Sequence, residues 1–277
     1  MPWKLYIDSR KRVAGARGDS DSDFAVQFPY PLTVSGRAYV DVVLLSNSFY
    51  TIRSGENDRI YLDENAALTK RVVLLAEGQH NVFELRDVLL GALNNGKAIT
   101  GQYRVTYLVS TNRYQIDIVN PAATDAFRIW SEKQLLANPT AWLAFTGGAL
   151  RSANRPCGFL DGTYTAGTDV LAGTAPNAPD VQPYKQLFLR SSLGGGSSES
   201  LGVNGETDLI RRIVVGNVAT NALIHDVHST PLDSVSINGN PELNQIWFQL
   251  IDVDGNVVNT HGHPISFSII FLNVEQE

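Results

Sequence analysis

The stretch 38-AYVDVVLL-45 reads as a β-strand with apolar side chains at odd and even positions alike. Only Asp41 interrupts the run, and a strand of this kind is expected to be buried on both faces. The chain around it repeats the style. Upstream, 4-KLYID-8 and 24-FAVQF-28 are short runs of β-branched and aromatic residues, and Pro29-Tyr30-Pro31 stops the second. Downstream, 47-NSFYTI-52 extends the first long strand, 55-GEND-58 reads as a turn, and 59–62 and 70–75 read as further strands. Segments 103–109 and 113–119 flank Ser110-Thr111-Asn112, a hairpin signal.

The same pattern returns late in the chain, at 187–190, 209–215, 223–228, 245–251 and 265–272. Asp254-Gly255 marks a hairpin turn between 245–251 and 257–259, because these residues tolerate the positive φ needed there. Helices are few. In 81-NVFELRDVLLGAL-93, Val82, Leu85, Val88, Leu89 and Ala92 share one face at helical spacing. Asn81 is the expected N-cap, with Glu84 completing a capping box. Asn94-Asn95-Gly96 ends the helix. A second short helix is expected over 131–137, stopped before Pro139. Many short strands with one clear helix imply a β-sandwich or barrel. Between 138 and 184 strand periodicity fades and Gly, Thr, Ala and Pro become frequent, as in a long loop-rich excursion. Strong strands on both sides of it are expected to build one sandwich.

Composition narrows the function. The 277 residues include 43% hydrophobic and 18% charged side chains, enough for a sizeable core. A formal net charge of −6 argues against a protein whose main task is gripping nucleic acid. No apolar run approaches the roughly 20 residues needed to span a bilayer. The opening MPWKLYIDSRKRV lacks the apolar centre of a secretory signal, so a chain that is cytosolic, or assembled in the cytosol or nucleus, is expected. The single cysteine, Cys157, rules out an internal disulfide or a cysteine-based zinc cluster.

Few residues carry a chemical signature. His225 and His228, with His261 and His263, would form a metal site only if they converged, but a three-residue offset places the first two on opposite faces of a strand. Asp252-Val253-Asp254-Gly255-Asn256 resembles a fragment of a calcium loop without its distal Glu, so the hairpin turn is the better reading. Gly194–Ser198 lacks the Lys-Ser or Lys-Thr of a phosphate loop and reads as a strand connector. Cys157 has no base in sight, and Gly-x-Ser-x-Gly is absent, so no catalysis is expected. Trp130 and Trp142 flank the variable middle and could form a sugar-binding rim, with core packing the more ordinary role.

Basic residues cluster at Ser9-Arg10-Lys11-Arg12, facing the acidic run Asp19-Ser20-Asp21-Ser22-Asp23; Arg211-Arg212 lies elsewhere. Charge balance around a turn is the simple expectation, and contact with an acidic partner the alternative. Inside this segment Arg17-Gly18-Asp19 spells the tripeptide that adhesive proteins present to integrins. Gly, Ser and Asp around it predict an exposed loop between two early strands.

Several segments in order resemble a known family: 6-YIDSRKR-12, 22-SDF-24 and 28-FPYPL-32; 46-SNSFYTI-52; the 81–93 helix; 103-YRVTY-107 leading into 113-RYQI-116; 209-LIRRIVV-215; 248-FQLIDVDGN-256; and 261-HGH-263 before 265-ISFSIIF-271. This order is similar to the penton, or minor capsid, proteins of Polinton-like elements, virophages and related double-stranded DNA viruses, over roughly 3–130 and 185–273. The resemblance implies an all-β fold, a single jelly-roll β-sandwich with one or two short helices. Its core would comprise 1–137 and 185–277, with 138–184 as a loop-rich insertion. It implies a homopentamer at the icosahedral five-fold vertex of the virion, set among trimeric double-jelly-roll major capsid proteins. It implies no catalysis, no cofactor and no specific nucleic acid. An outer insertion could carry a spike or bind a cell-surface receptor, a setting that strengthens the adhesive reading of Arg17, Gly18 and Asp19. A carbohydrate- or receptor-binding β-sandwich module is the alternative function.

Overall fold

The computed structural model describes residues 2–14, 18–33, 36–65, 67–146, 150–160, 172–193, 208–216, 218–219, 221–227, 230–237 and 242–272. In chain order the strands are β1 (Trp3–Asp8), β2 (Asp23–Thr33), β3 (Arg37–Ser46), β4 (Arg59–Glu64), β5 (Thr69–Leu74), β6 (Gln102–Leu108), β7 (Arg113–Val119) and β8 (Phe127–Ile129). They continue as β9 (Ala172–Thr174), β10 (Gln186–Ser191), β11 (Leu209–Val214), β12 (Leu223–Asp226), β13 (Val235–Ser236), β14 (Glu242–Ile251) and β15 (Ile265–Leu272). Two helices matter here: α1 (Val82–Asn94) and α2 (Glu132–Ala137). The chain divides into two compact units, Met1–Phe49 with Tyr184–Glu277, and Tyr50–Pro183.

The first unit is a two-sheet sandwich. One sheet runs β1-β15-β3-β12, with the short β13 also on β3; the other runs β11-β10-β14-β2. Successive strands of the sandwich cross from sheet to sheet except between β10 and β11 and between β12 and the short β13, and the first and last strands pair as antiparallel neighbours. That is the strand order of a jelly roll. Its core follows from period-two alternation. Ala38, Val40, Val43 and Leu45 of β3, Ile265, Phe267, Ile269 and Phe271 of β15, and Ile246, Phe248 and Leu250 of β14 are buried in one cluster. Burying each large side chain contributes about 1.5–3 kcal/mol. A buried ion pair joins the sheets, Arg211 of β11 to Asp226 of β12, and Asp226 also accepts the Val214 backbone N–H at 2.9 Å.

The second unit lies in the chain between β3 and β10. Here β4 pairs with β5 and β8, and β7 pairs with β6 and β9. Leu85, Leu89 and Leu93, one face of α1, are fully buried among Ile60, Leu62, Ile116 and Phe127. The capping box exists: the Asn81 side chain accepts the Phe83 and Glu84 N–H groups, and Glu84 accepts the Asn81 N–H at 2.9 Å. Ser131 and Gln134 form a second box at α2. The unit also buries charge. Glu64 lies against Arg71, accepts the Tyr103 O–H at 2.7 Å and accepts the Ala98 N–H at 2.8 Å. Arg71 then donates to the carbonyls of Ala92, Leu93 and Asn95 at the end of α1.

Two details differ from the sequence expectation. The insertion unit begins at Tyr50, so residues 50–137 group with 138–183 rather than with the sandwich. Strand-forming runs occur in both units, and the pairing partners, which the sequence does not display, tell them apart. The strand at 38–45 also does not extend through 47–52. At Asn47 the side chain turns to donate to the Val218 and Ala219 carbonyls, and the chain leaves the sheet.

Candidate functional site

The N-terminal turn is built by β1, a single 3-10 turn at Ser9–Lys11 and the approach to β2. Asp8 caps the turn. It accepts the Arg10 backbone N–H and the Arg10 guanidinium, whose Nε and Nη2 lie 2.9 and 2.6 Å from its two oxygens. The guanidinium, helped by the Ser266 hydroxyl, holds the Asp8 carboxyl well below the usual carboxylate range. Ser9 is fully buried, donates to Asp21 at 2.7 Å and accepts the Ile265 N–H at 3.1 Å. The turn is therefore tied to the start of β15 and to the approach to β2.

Arg12 lies at the centre of this network. Its Nε donates to Asp19 at 3.1 Å, and its Nη1 donates to Asp21 at 3.0 Å and to the Ser9 carbonyl at 3.2 Å. Arg12 thus balances Asp19 and Asp21 of the acidic run inside the chain, in line with the turn reading, while Arg10 pairs with Asp8. Asp23 belongs to a different set and accepts from Gln249 at 2.9 Å.

Of the adhesive triplet, Arg17 lies outside the described residues. Gly18 has φ +72°, and a Cβ there would sit 2.4 Å from the Asp23 Cγ, so both backbone and space require glycine. Asp19 also has positive φ, 43°. Its side chain is half-exposed, at 49%, with one oxygen taken by Arg12. A receptor that takes this carboxylate must compete with Arg12.

A second feature was not singled out in the sequence. The outer face of the β1-β15-β3 sheet carries Lys4 and Tyr6, Ser266 and Ser268, and Val42 and Leu44, around a groove of about 320 Å³. A β-bulge opposite Ser268 and Ile269 turns both Asp41 and Val42 to this face, while Val40 and Val43 stay inside. The strand that reads as buried on both faces is covered on one. Because the bulge shifts the alternation, the even positions Ala38 and Val40 face the core while Val42 and Leu44 face outward.

The remaining candidates resolve individually. Cys157 is fully buried, and burial pushes its thiol up to about 12, which removes it as a nucleophile near neutral pH. Trp142 is fully buried against Tyr61 and Trp130, and the Trp130 indole N–H donates to Asp63 at 2.8 Å, so the pair packs rather than forming an open rim. Asp252 spends Oδ1 on the backbone N–H groups of Asp254 and Asn256 at 2.9 Å each, and Gly255 has φ 84°, which makes the segment a turn. His225 is exposed on β12, His261 and His263 occupy a turn, and His228 and Gly194–Ser198 lie outside the described residues. Among the described residues no group of three or more His, Cys, Asp or Glu is placed to hold a metal. Arg211 is consumed by Asp226, and Arg212 is exposed. Among the described residues, no helix is long and apolar enough to cross a membrane.

No family model matches the chain, and no curated protein matches it. Among solved structures, the fold is similar to that of the mavirus penton protein, with TM-score 0.52 and 11% sequence identity, over 99% of this chain and 99% of that one. At that identity the match speaks for the fold, the jelly roll together with its insertion.

Proposed function

We propose that the chain is a structural capsid protein that forms homopentamers at the five-fold vertices of a double-stranded DNA virus. One observation carries the reading: a jelly roll interrupted between its third and fourth strands by a separate unit, matched end to end by a virophage penton protein. The sandwich offers what a ring needs, apolar sheet surface and strand edges that closed cyclic symmetry would cover. Its neighbours in the shell would be trimeric double-jelly-roll major capsid proteins. Electron microscopy of particles that contain the chain tests this. Density for the jelly roll at the five-fold vertices supports it, and density elsewhere in the shell overturns it.

Host attachment is a second role for the same vertex, favoured by the half-exposed Asp19 carboxylate in the turn. Asp19→Glu lengthens the acid by one methylene and is expected to abolish particle attachment to integrin-bearing cells. Attachment at the unchanged level would leave the triplet as a turn and nothing more.

A further inference from the structure

Sheet faces turned to water ordinarily carry polar side chains at every second position. The outer face of β1-β15-β3 carries Lys4, Asp41 and Ser266 but breaks this pattern at Val42 and Leu44. Val42 and Leu44 stand half-buried beside Tyr6, which is 76% exposed, and together they line the groove described above. The charges around it are neutralised within the chain, Lys4 by Asp41 and Asp8 by Arg10. An acidic or basic partner would find no free counter-charge among these residues. An apolar one would find a hole sized for one or two side chains.

The same chain supplies a matching protrusion. Leu232 is 91% exposed, more than any other large apolar side chain among the described residues. It is carried on a short 3-10 turn, Pro231–Asp233, and not on a loose loop. The Asp233 carboxylate accepts from the Thr230 N–H at 2.8 Å and the Thr230 hydroxyl at 3.1 Å, and Pro231 fixes φ at the turn's first position. A knob held in this way loses little conformational entropy on docking. Its place in the sheet also suits a ring. The turn leads into β13, which pairs with the start of β3 beside the β12 edge, whereas the groove lies over β1, β15 and the later part of β3. Knob and hole are therefore different patches, as a heterologous contact that closes into a ring demands.

We propose that Leu232 of one copy seats in the Tyr6, Val42 and Leu44 groove of the next copy around the ring. This rests on the vertex reading and names the contact that would build it. The test uses the full chain. Leu232→Asp should raise the concentration at the assembly midpoint by about 10- to 100-fold, as expected for a buried anchor, with the monomer's circular dichroism and melting temperature unchanged. A second pair of variants reads the contact directly, since Cys157 is buried and the sole native cysteine. Leu232→Cys and Leu44→Cys chains, dissociated, mixed and oxidised, should give crosslinked dimers in the mixture and in neither preparation alone. Assembly of Leu232→Asp at the wild-type midpoint, with no mixed crosslink, overturns the contact and leaves the pentamer standing. Mixed crosslinks in an assembly of some other number support the contact and overturn the vertex reading. A wild-type chain that stays monomeric overturns both.

Discussion

The two units solve the same problem with different materials. The jelly roll holds its sheets together with an apolar cluster and, among the described residues, a buried ion pair, Arg211 with Asp226, both nearly inaccessible to water. The insertion has a smaller apolar cluster built around α1, and it buries a polar hub in which Glu64 gathers Arg71, Tyr103 and the Ala98 N–H. The difference lies in how each unit fixes its geometry. A sandwich gets register from long strand pairing and alternation. A unit of short sheets and a helix needs directional bonds, and Arg71 supplies them by joining the β5 strand to the end of α1.

The largest expected effects come from removing one partner of each buried pair. Asp226→Asn leaves the Arg211 guanidinium buried without its carboxylate and should cost the sandwich about 3–5 kcal/mol. Glu64→Ala should cost the insertion a similar amount, about 3–5 kcal/mol, through Arg71 and the orphaned Tyr103 hydroxyl. The two core clusters share no residue, so each change should lower one transition in a denaturant titration monitored by unit-specific probes. Equal loss in both transitions would erase the distinction between the units.

A smaller effect is expected at the N-terminal turn. Gly18→Ala places a Cβ against the Asp23 side chain in a backbone region unfavourable for alanine, and should cost about 1–3 kcal/mol. That loss should fall on the sandwich transition alone, since Ser9 and Ile265 tie the turn to β15. A change within about 0.3 kcal/mol would mean that the turn is not strained by the substitution.

The smallest effect is a pH dependence. The Asp8 carboxyl is lowered from its ordinary 3.8 by Arg10, so its charged form is favoured in the folded chain. The contribution to stability is full above about pH 4 and is lost as pH falls through the folded value. Asp8→Asn should therefore lower the stability of the sandwich above about pH 4 toward the level the unchanged chain reaches in acid, and so flatten the acid limb of its transition. An acid limb that is the same in both proteins would show that Asp8 gains nothing from Arg10.

Much of this was legible in the sequence, wherever local chemistry decides local structure. The strands of the sandwich follow from alternation, α1 from its leucine spacing and capping box, and the turns at Gly18 and Gly255 from glycine's access to positive φ. The division into units was not legible, because β4 to β7 carry strand-forming runs like those of the sandwich and pairing partners cannot be read from a run. Three-residue strands such as β8 and β9 are too short for any period to show. Arg211 and Asp226 meet because their strands lie in facing sheets, which spacing along the chain does not reveal. At the candidate site, the Arg12 network followed from charge balance. The outer groove and Leu232 became visible only once it was known which faces the fold leaves uncovered.

The central claim is the closed ring of five jelly rolls, and the mass of the purified, intact chain in solution tests it most directly. Native mass spectrometry across a range of concentrations should find a species at five times the 30.3 kDa chain mass, growing at the expense of monomer as concentration rises. A chain that remains monomeric throughout, or closes at any other number, contradicts the account.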